Sequence, residues 1–384
     1  MMNPYLRLYY EALQPHGVKY VRELTEADVW RDRLPKDVEI VHFHFPEYLW
    51  HGYNPRLLRA LRRRMPPAWF PARMCENICG YYAVVRLRWF LKRLSRSGIV
   101  TVWTCHDVEH PYFRGTVDRY ARQVLASNVD LVVIHCNFWA KEFKKRFPLA
   151  KNICVMYHGN YDGAFPQPRS RERVLADLGL DQMKPVVASV GSLRTSKGIS
   201  DTVEAARLLA DRMQFVIAGR PNATFDLGAL QRQISDTTNV TLVARKLSDQ
   251  EVADILSAAD AALLPYREIT TSGALLTALT LGRGVVVSDL PFFREILGQN
   301  SAAGVLVPPG DPQALARAIH EYLKVPAEER SRAARAIADR YPWSKVVLPV
   351  VETLRSLHRK ACERRQPVGQ CNSGSRQDAR KTES

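Results

Sequence analysis

Apolar residues in this chain gather in short unbroken runs. In the first half these are Val38–His44 (VEIVHFH), Ile99–Thr104 (IVTVWT), Asp130–His135 (DLVVIH) and Asn152–Tyr157 (NICVMY). Such runs predict strands buried on both faces, as in a parallel sheet. Between them, Asn54–Arg64, Thr116–Ala126 and Phe138–Phe147 have apolar positions at helical spacing. Strands alternating with helices predict βαβ units. Ala164–Ser170 (AFPQPRS) breaks the pattern with two prolines and reads as a linker.

The alternation then restarts. Val186–Gly191, Gln214–Gly219, Val240–Ala244, Ala261–Pro265, Gly284–Ser288 and Gly304–Val307 are predicted strands, with helices such as Gly198–Asp211, Ser248–Ala258 and Ser272–Leu281 between them. Asp311–Leu323 and a stretch around Ser344–Leu357 follow as helices, and from Arg359 the chain turns polar and charged, a tail expected to be disordered. A chain of 384 residues is too long for one ordinary core. The pattern predicts an α/β protein of two doubly wound domains, residues 1–165 and 170–338, with a ligand cleft at the carboxyl ends of their strands.

Charge narrows the choice of partner. There are 55 Lys and Arg against 39 Asp and Glu, a net +16, which points to an anionic partner. Residues 56–96 hold eleven of these cations against one acid, Glu76, interleaved with Trp69, Phe70, Tyr81, Tyr82, Trp89 and Phe90. Basic helices with aromatic anchors suit an anionic membrane surface. No nucleic-acid module accompanies them, so nucleic acid is not expected. Seven cysteines form no C-x-x-C pair, which favours a reducing compartment over a disulfide framework. The chain has no run of 18 uncharged apolar residues, and its start, MMNPYLRLYYEAL, lacks a secretory h-region. The expected location is cytoplasmic, peripheral on the inner face of the membrane.

Two segments carry chemistry. In VVASVGSLRTSKGISDTVEAARLL a buried strand ends at Gly191, a polar loop holds Arg194 and Lys197, and Gly198 opens a helix. Amides at a helix start and two fixed cations suit a diphosphate. The loop is neither Walker A nor G-x-G-x-x-G. In PYREITTSGALLTALTLGRG, Glu268 lies after a strand, and Ser272 and Gly273 begin a small-residue helix whose capped start exposes further donors. Each segment on its own could also be a plain strand–helix joint.

Together these residues resemble the GT-B glycosyltransferases, and glycosyltransferase family 4 in particular. Gly191-Ser-Leu-Arg-Thr-Ser-Lys-Gly198 is similar to the family's G-R-L-x-x-x-K-G, with Ser192 at the Arg position and Arg194 two residues later. Ala258-Ala-Asp260 through Pro265-Tyr-Arg267 resembles A-A-D…P-Y, and Gly304–Asp311 resembles G-L-L-V-P-P-G-D. Thr104-Cys-His-Asp107 is similar to the family's T-x-H-[DN] element, and His158-Gly159 to its hinge H-G. The resemblance implies two Rossmann-like domains facing a cleft, a C-terminal helix over 339–358 returning to the first domain, and a nucleotide-diphosphate sugar as donor. It implies Gly191, Arg194, Lys197, Ser272 and Gly273 at the diphosphate, and Arg245 and Thr277 at the nucleoside. His106, Asp107 and Glu268 become the catalytic candidates, and His44, Glu47, Glu109 and His158 line the acceptor side. The family's E-x7-E is broken: Glu268 stands near the first position, but Thr277 takes the second, and Ile269 is eight residues before it.

Catalysis would then rest on protein cations stabilising the departing diphosphate, with no cofactor and no metal. His42 and His44 share a strand face and His106 and His110 are four apart, but no clear third ligand accompanies either pair. If the reaction inverts, Asp107, Glu109 or Glu47 takes the acceptor proton. If it retains, His106 holds the sugar or the attacking hydroxyl. The combined expectation is a hexosyltransferase acting on a polyprenyl-diphosphate-linked oligosaccharide or glycolipid in cell-surface polysaccharide synthesis. The alternatives are a nucleotide-sugar epimerase or hydrolase, or a non-catalytic binding scaffold.

Overall fold

A computed structural model describes residues 3–31, 33–51, 72–108, 115–299 and 301–365. The predicted helix Asn54–Arg64, Glu109, His110, part of the basic stretch and the end of the tail lie outside the described residues. The first part contains α1 (Pro4–Leu13), α2 (Glu26–Arg31), β1 (Ile40–Phe43), α3 (Ala72–Arg96), β2 (Val100–Thr104), α4 (Thr116–Asn128), β3 (Leu131–Ile134), α5 (Asn137–Arg146) and β4 (Ile153–Val155). After α6 (Arg171–Asp177) come β5 (Val186–Val190), α7 (Ile199–Leu208), β6 (Gln214–Ala218), α8 (Leu227–Ile234), β7 (Val240–Val243), α9 (Asp249–Ala258), β8 (Ala261–Leu264), α10 (Gly273–Thr280), β9 (Val285–Ser288), α11 (Pro291–Leu297) and β10 (Gly304–Val307). The chain continues through α12 (Pro312–Tyr322), α13 (Ala327–Ala338), α14 (Trp343–Val346) and α15 (Leu348–Arg365).

Both sheets are parallel, and their strand orders explain where the helices lie. The second sheet runs β10-β9-β8-β5-β6-β7, so the order reverses between β5 and β8. Right-handed crossovers then place helices on both faces. Val187, Phe215, Leu263 and Val286 pack on the face of α7 and α12, while Val190, Val216, Leu264 and Val287 pack on the face of α9 to α11 and α13.

The first sheet runs in chain order, β1-β2-β3-β4, without a reversal among the described residues. Its crossover helices α3, α4 and α5 accordingly share one face, with Val41, Trp103, Val132 and Ile134. The other face, with Val100, Val102, Leu131 and Val133, is left for helices from elsewhere. Tyr5, Tyr9 and Leu13 of α1 cover it together with Trp343, Val346, Val350, Val351 and Leu354 of α14 and α15. The C-terminal helix therefore does return to the first sheet, and it stays helical to Arg365, past the expected start of the tail at Arg359.

The two halves also meet directly. Glu295 of α11 accepts from the Asn137 and Phe138 amides at the start of α5 (2.7 and 3.1 Å), from the Asn137 side chain (2.9 Å) and from the Tyr157 hydroxyl (2.8 Å). A carboxylate at a helix N-terminus is well placed electrostatically, and the backbone amides, with Tyr157 and Asn137, hold Glu295 below its ordinary pKa against the effect of burial. Among the described residues, no helix is long and apolar enough to cross a membrane.

Candidate active site

Every strand of the first sheet delivers a histidine at or just beyond its carboxyl end: His42 and His44 from β1, His106 from β2, His135 from β3 and His158 from β4. Parallel strands put these ends side by side, so the imidazoles gather. His42 and His44 lie 4.0 Å apart between ring centroids, His44 and His106 5.5 Å, His106 and His135 5.4 Å, and His135 and His158 5.8 Å. The Tyr5 ring lies within 6 Å of four of them: 5.9 Å from His44, 5.2 Å from His106, 5.6 Å from His135 and 5.0 Å from His158.

Hydrogen bonds fix several tautomers. His135 Nδ1 donates to the Met156 carbonyl (2.8 Å), so its Nε2 accepts from the Tyr5 hydroxyl (3.2 Å). His158 Nδ1 donates to the Gly159 carbonyl (2.7 Å), leaving Nε2 toward Tyr161 (3.5 Å). A continuous chain runs from His106 Nε2 to His44 Nδ1 (3.2 Å), from His44 Nε2 to the Tyr10 hydroxyl (3.1 Å), on to His42 Nδ1 (3.3 Å), and from His42 Nε2 to Thr104 (2.8 Å). Burial pushes all five imidazoles below their ordinary pKa, His42 and His158 to about 3 and His135 to about 4. They are neutral hydrogen-bonding groups at pH 7. Among the described residues, no three His, Cys, Asp or Glu are arranged to hold a metal ion.

Beside this floor is an ionised corner. The Arg122 guanidinium, 4% exposed, gives one bond to Glu47 Oε1 (3.0 Å) and another to the Asp107 carbonyl. It thereby ties the loop after β1 to the loop after β2. Burial raises the pKa of Glu47, partly offset by Arg122. Burial also raises Asp107; Arg194 and Arg122 oppose that rise and Glu268 adds to it. Arg194 and Glu268 belong to the second half, so Asp107 faces the loops after β5 and β8 across the cleft.

Those loops are built around Lys197. After β5, Leu193 pairs with the chain beyond β6, its amide on the Arg220 carbonyl (2.9 Å). A 3-10 turn, Thr195–Lys197, then leads into Gly198 at φ +62°. A Cβ on Gly198 would stand 1.9 Å from the Pro265 carbonyl oxygen, so only glycine allows this approach between the loops after β5 and β8. Two further ties join them: the Arg267 amide donates to the Ser196 carbonyl (2.8 Å), and Arg267 grips Asp201 of α7 through Nε and Nη2 (3.1 and 2.8 Å). Lys197 is 9% exposed, with Nζ 5.0 Å from the Tyr266 ring centroid. A side chain at Gly191 would meet that Nζ at 2.8 Å.

Lys197 and Gly191 line a cavity of about 300 Å³ with Gly273, Ala274 and Thr277 of α10, Asp249 and Val252 of α9, and Pro4 and Tyr161 from the first half. Ser272 caps α10 through the Leu275 amide (3.3 Å). Gly273 lies against Tyr161 and His158, whose atoms would be 2.8 and 3.5 Å from an added Cβ. One cavity thus brings together a buried cation and a capped helix start, with His158 beside it, an arrangement suited to a phosphate ester.

The sequence-predicted residues divide as follows. Gly191, Lys197, Gly273 and Thr277 line the cavity, and the Thr277 hydroxyl donates to the Gly273 carbonyl (3.0 Å). Ser272 and His158 adjoin it. His44 and His106 are joined by a hydrogen bond, and Asp107 sits between Arg122 and the charges of Arg194 and Glu268. Arg245 is outside the cavity lining and pairs with Glu251 (2.5 Å). Sequence reasoning missed Tyr5, Tyr10, Arg122, His135 and Asp249. A histidine closing every strand of the first half was the available signal for His135; Arg122 offers none, being one cation in an ordinary amphipathic helix.

Residues 184–324 match the family model for Glycosyl transferases group 1. The second half carries a group 1 glycosyl transferase domain. Alpha-maltose-1-phosphate synthase of Mycolicibacterium smegmatis is 29% identical over 205 residues, 50% of this chain and 53% of that protein. A GDP-mannose-dependent alpha-(1-6)-phosphatidylinositol dimannoside mannosyltransferase of Mycobacterium tuberculosis is 25% identical over 282 residues, 68% of each chain. The GDP-mannose:glycolipid 4-beta-D-mannosyltransferase of Xanthomonas campestris is 22% identical over 293 residues, 74% of this chain and 69% of that one. Over the first relatives the chain spans roughly half of their length, between 41% and 64%. Sucrose-phosphate synthase of Thermosynechococcus elongatus superposes with TM-score 0.64 at 17% identity, covering 93% of both chains. HepE of Anabaena, solved with UDP and glucose, superposes with TM-score 0.61 at 19% identity, covering 72% of this chain and 76% of that one. The group 1 domain and the sheet before it form the GT-B fold.

Proposed function

We propose that the protein is a glycosyltransferase that moves a hexosyl residue from a nucleotide-diphosphate sugar to a lipid-linked saccharide at the inner face of the cytoplasmic membrane. The observation that carries this reading is Lys197, buried against Tyr266 and lining one cavity with the start of α10. A cation held there stabilises charge as it develops on a departing diphosphate and needs no reorganisation at that moment. The group 1 domain supports the reaction class. The activities named for the Mycobacterium and Xanthomonas relatives support a sugar nucleotide donor and a glycolipid acceptor.

In this reading the anomeric C–O bond breaks with its electron pair going to the diphosphate, and the acceptor oxygen bonds to the anomeric carbon. Arg194 and Lys197 hold the diphosphate, Glu268 and His106 the sugar. The anomeric configuration of the product assigns the acceptor proton. Inversion gives it to Asp107, whose raised pKa suits a base; retention gives it to the departing phosphate.

The test is incubation with radiolabelled UDP- and GDP-sugars and a membrane extract. Label in the lipid fraction is the expected result. Label released as free or altered sugar would instead make the protein a hydrolase or epimerase, and binding without turnover would make it a scaffold.

A further inference from the structure

The two sides of helix α3 differ from those of an ordinary surface helix. Its inner side is apolar as expected: Ala83, Val84, Leu87, Leu91 and Leu94 are buried against the first sheet. Its outer side is apolar too. Ile78, Tyr82, Val85 and Trp89 are 52%, 54%, 42% and 67% exposed, and Tyr81, 38% exposed, edges the same stripe beside Tyr120. Spacings of 3, 4 and 7 residues put these side chains on one face over three turns. A helix apolar all round belongs inside a protein or against lipid, and a stripe of this size is rarely left to water.

Charge selects between the partners. The exposed Arg88, Lys92, Arg93 and Arg96 flank the stripe and continue it over the last two turns, and residues 77–96 contain no Asp or Glu. The segment before it, residues 52–71, adds Arg56, Arg59, Arg62, Arg63 and Arg64 and again no acid. A second copy of the chain would bring the same positive charge against itself. An anionic bilayer complements both features, taking the aromatic and aliphatic groups at the acyl boundary and the cations at the headgroups.

We infer that the outer face of α3 is a lipid-docking surface, with Ile78, Val85 and Trp89 inserted and Arg88, Lys92 and Arg96 on anionic headgroups. The inference deepens the reading of a lipid-linked acceptor and rests on it: docking by the first half brings the acceptor side of the cleft to the membrane.

The experiment is vesicle flotation of the full chain with phosphatidylcholine alone or with phosphatidylglycerol added. Two surface variants are compared with wild type, Val85→Glu/Trp89→Glu and Arg88→Glu/Lys92→Glu. Thermal shift with UDP and GDP is read on all three to confirm an intact donor site, and light scattering gives their oligomeric state. Wild type should float only with the anionic vesicles, and each variant should lose about tenfold or more of its partitioning while keeping its nucleotide response. Flotation of wild type equal on both vesicles, no flotation, or flotation unchanged in both variants overturns the inference. So does a dimer dissolved by Val85→Glu/Trp89→Glu with lipid binding intact, which would make the stripe an interface between copies. A missing nucleotide response in wild type would count against the donor reading, independently of the lipid result.

Discussion

Asp201 receives Arg267 through both Nε and Nη2, at 3.1 and 2.8 Å, and in doing so fastens the loop after β8 to the first turn of α7. The Arg267 side chain is 51% open to solvent but that of Asp201 only 7%, so removing Arg267 both frees the loop that positions Lys197 and strands a buried carboxylate. Arg267→Met is expected to raise the donor KM about tenfold with a smaller change in kcat, because a loop misplaced by a fraction of an ångström loses orientation first. The melting temperature should fall as well, because the Asp201 carboxylate loses its cation. A large drop in melting temperature with an unchanged KM would assign the pair to stability instead.

Lys197→Ala removes the buried cation and leaves the strand–helix joint intact. We expect kcat to fall about a hundredfold, the usual effect of losing one donor to developing charge. Circular dichroism and melting should stay close to wild type. A near-normal rate would take Lys197 out of the mechanism.

Gly198→Ala tests the contact between the loops directly. The added methyl would stand 1.9 Å from the Pro265 carbonyl oxygen, and alanine is strained at φ +62°. The expected loss is about 2 kcal/mol or more in urea unfolding. A neutral result would show that the two loops separate without cost.

Arg122→Met leaves Glu47, 15% exposed, without its cation, and the Asp107 carbonyl with only the weak Cys105 thiol donor (3.4 Å). We expect about 3 kcal/mol of destabilisation, the range for stranding one member of a buried pair. Adding Glu47→Gln should restore part of it if the ion pair carries the effect. No recovery would place the cost on the Asp107 loop.

The histidine floor sets an acid limit. Each of the five imidazoles is held below its ordinary value in the folded state, His42 to about 3, His158 to about 3 and His135 to about 4. In the unfolded chain they titrate at about 6.5. Between those values the unfolded state binds more protons, so stability is present above about pH 6.5 and falls as the pH drops toward 4. Each histidine contributes up to about 1.4 kcal/mol per pH unit in that window. His42→Gln should therefore flatten the urea-derived stability between pH 4.5 and 6 by about that slope, and an unchanged slope would show that His42 is already protonated in the fold.

Much of the fold could be read from residue order alone because parallel strands, buried on both faces, leave continuous Val and Ile runs. The expected strand Gln214–Gly219 is β6, ending one residue earlier at Ala218, and Ser272 caps α10 as its side chain suggested. What escaped depends on long-range packing. Helix α3 hid because its outer face is apolar and basic where a helical pattern calls for polar residues. Helix α1 hid because Tyr5, Tyr9 and Tyr10 answer to histidines up to 153 positions away, a pairing only the sheet creates. In the second half, local motifs led to Gly191, Lys197 and Gly273, which line one cavity, whereas Arg245 is occupied by Glu251, six residues on in the same loop and helix start.

On one face the first sheet takes part of its cover from α14 and α15, the last helices among the described residues. Its strands therefore leave the ribosome well before part of their shield, and until some two hundred further residues have been made Val100, Val102, Leu131 and Val133 have only Tyr5, Tyr9 and Leu13 of α1 over them. The first half cannot mature on its own during synthesis, and a stop codon anywhere before Leu348 should yield a chain that engages chaperones however well its second sheet has formed.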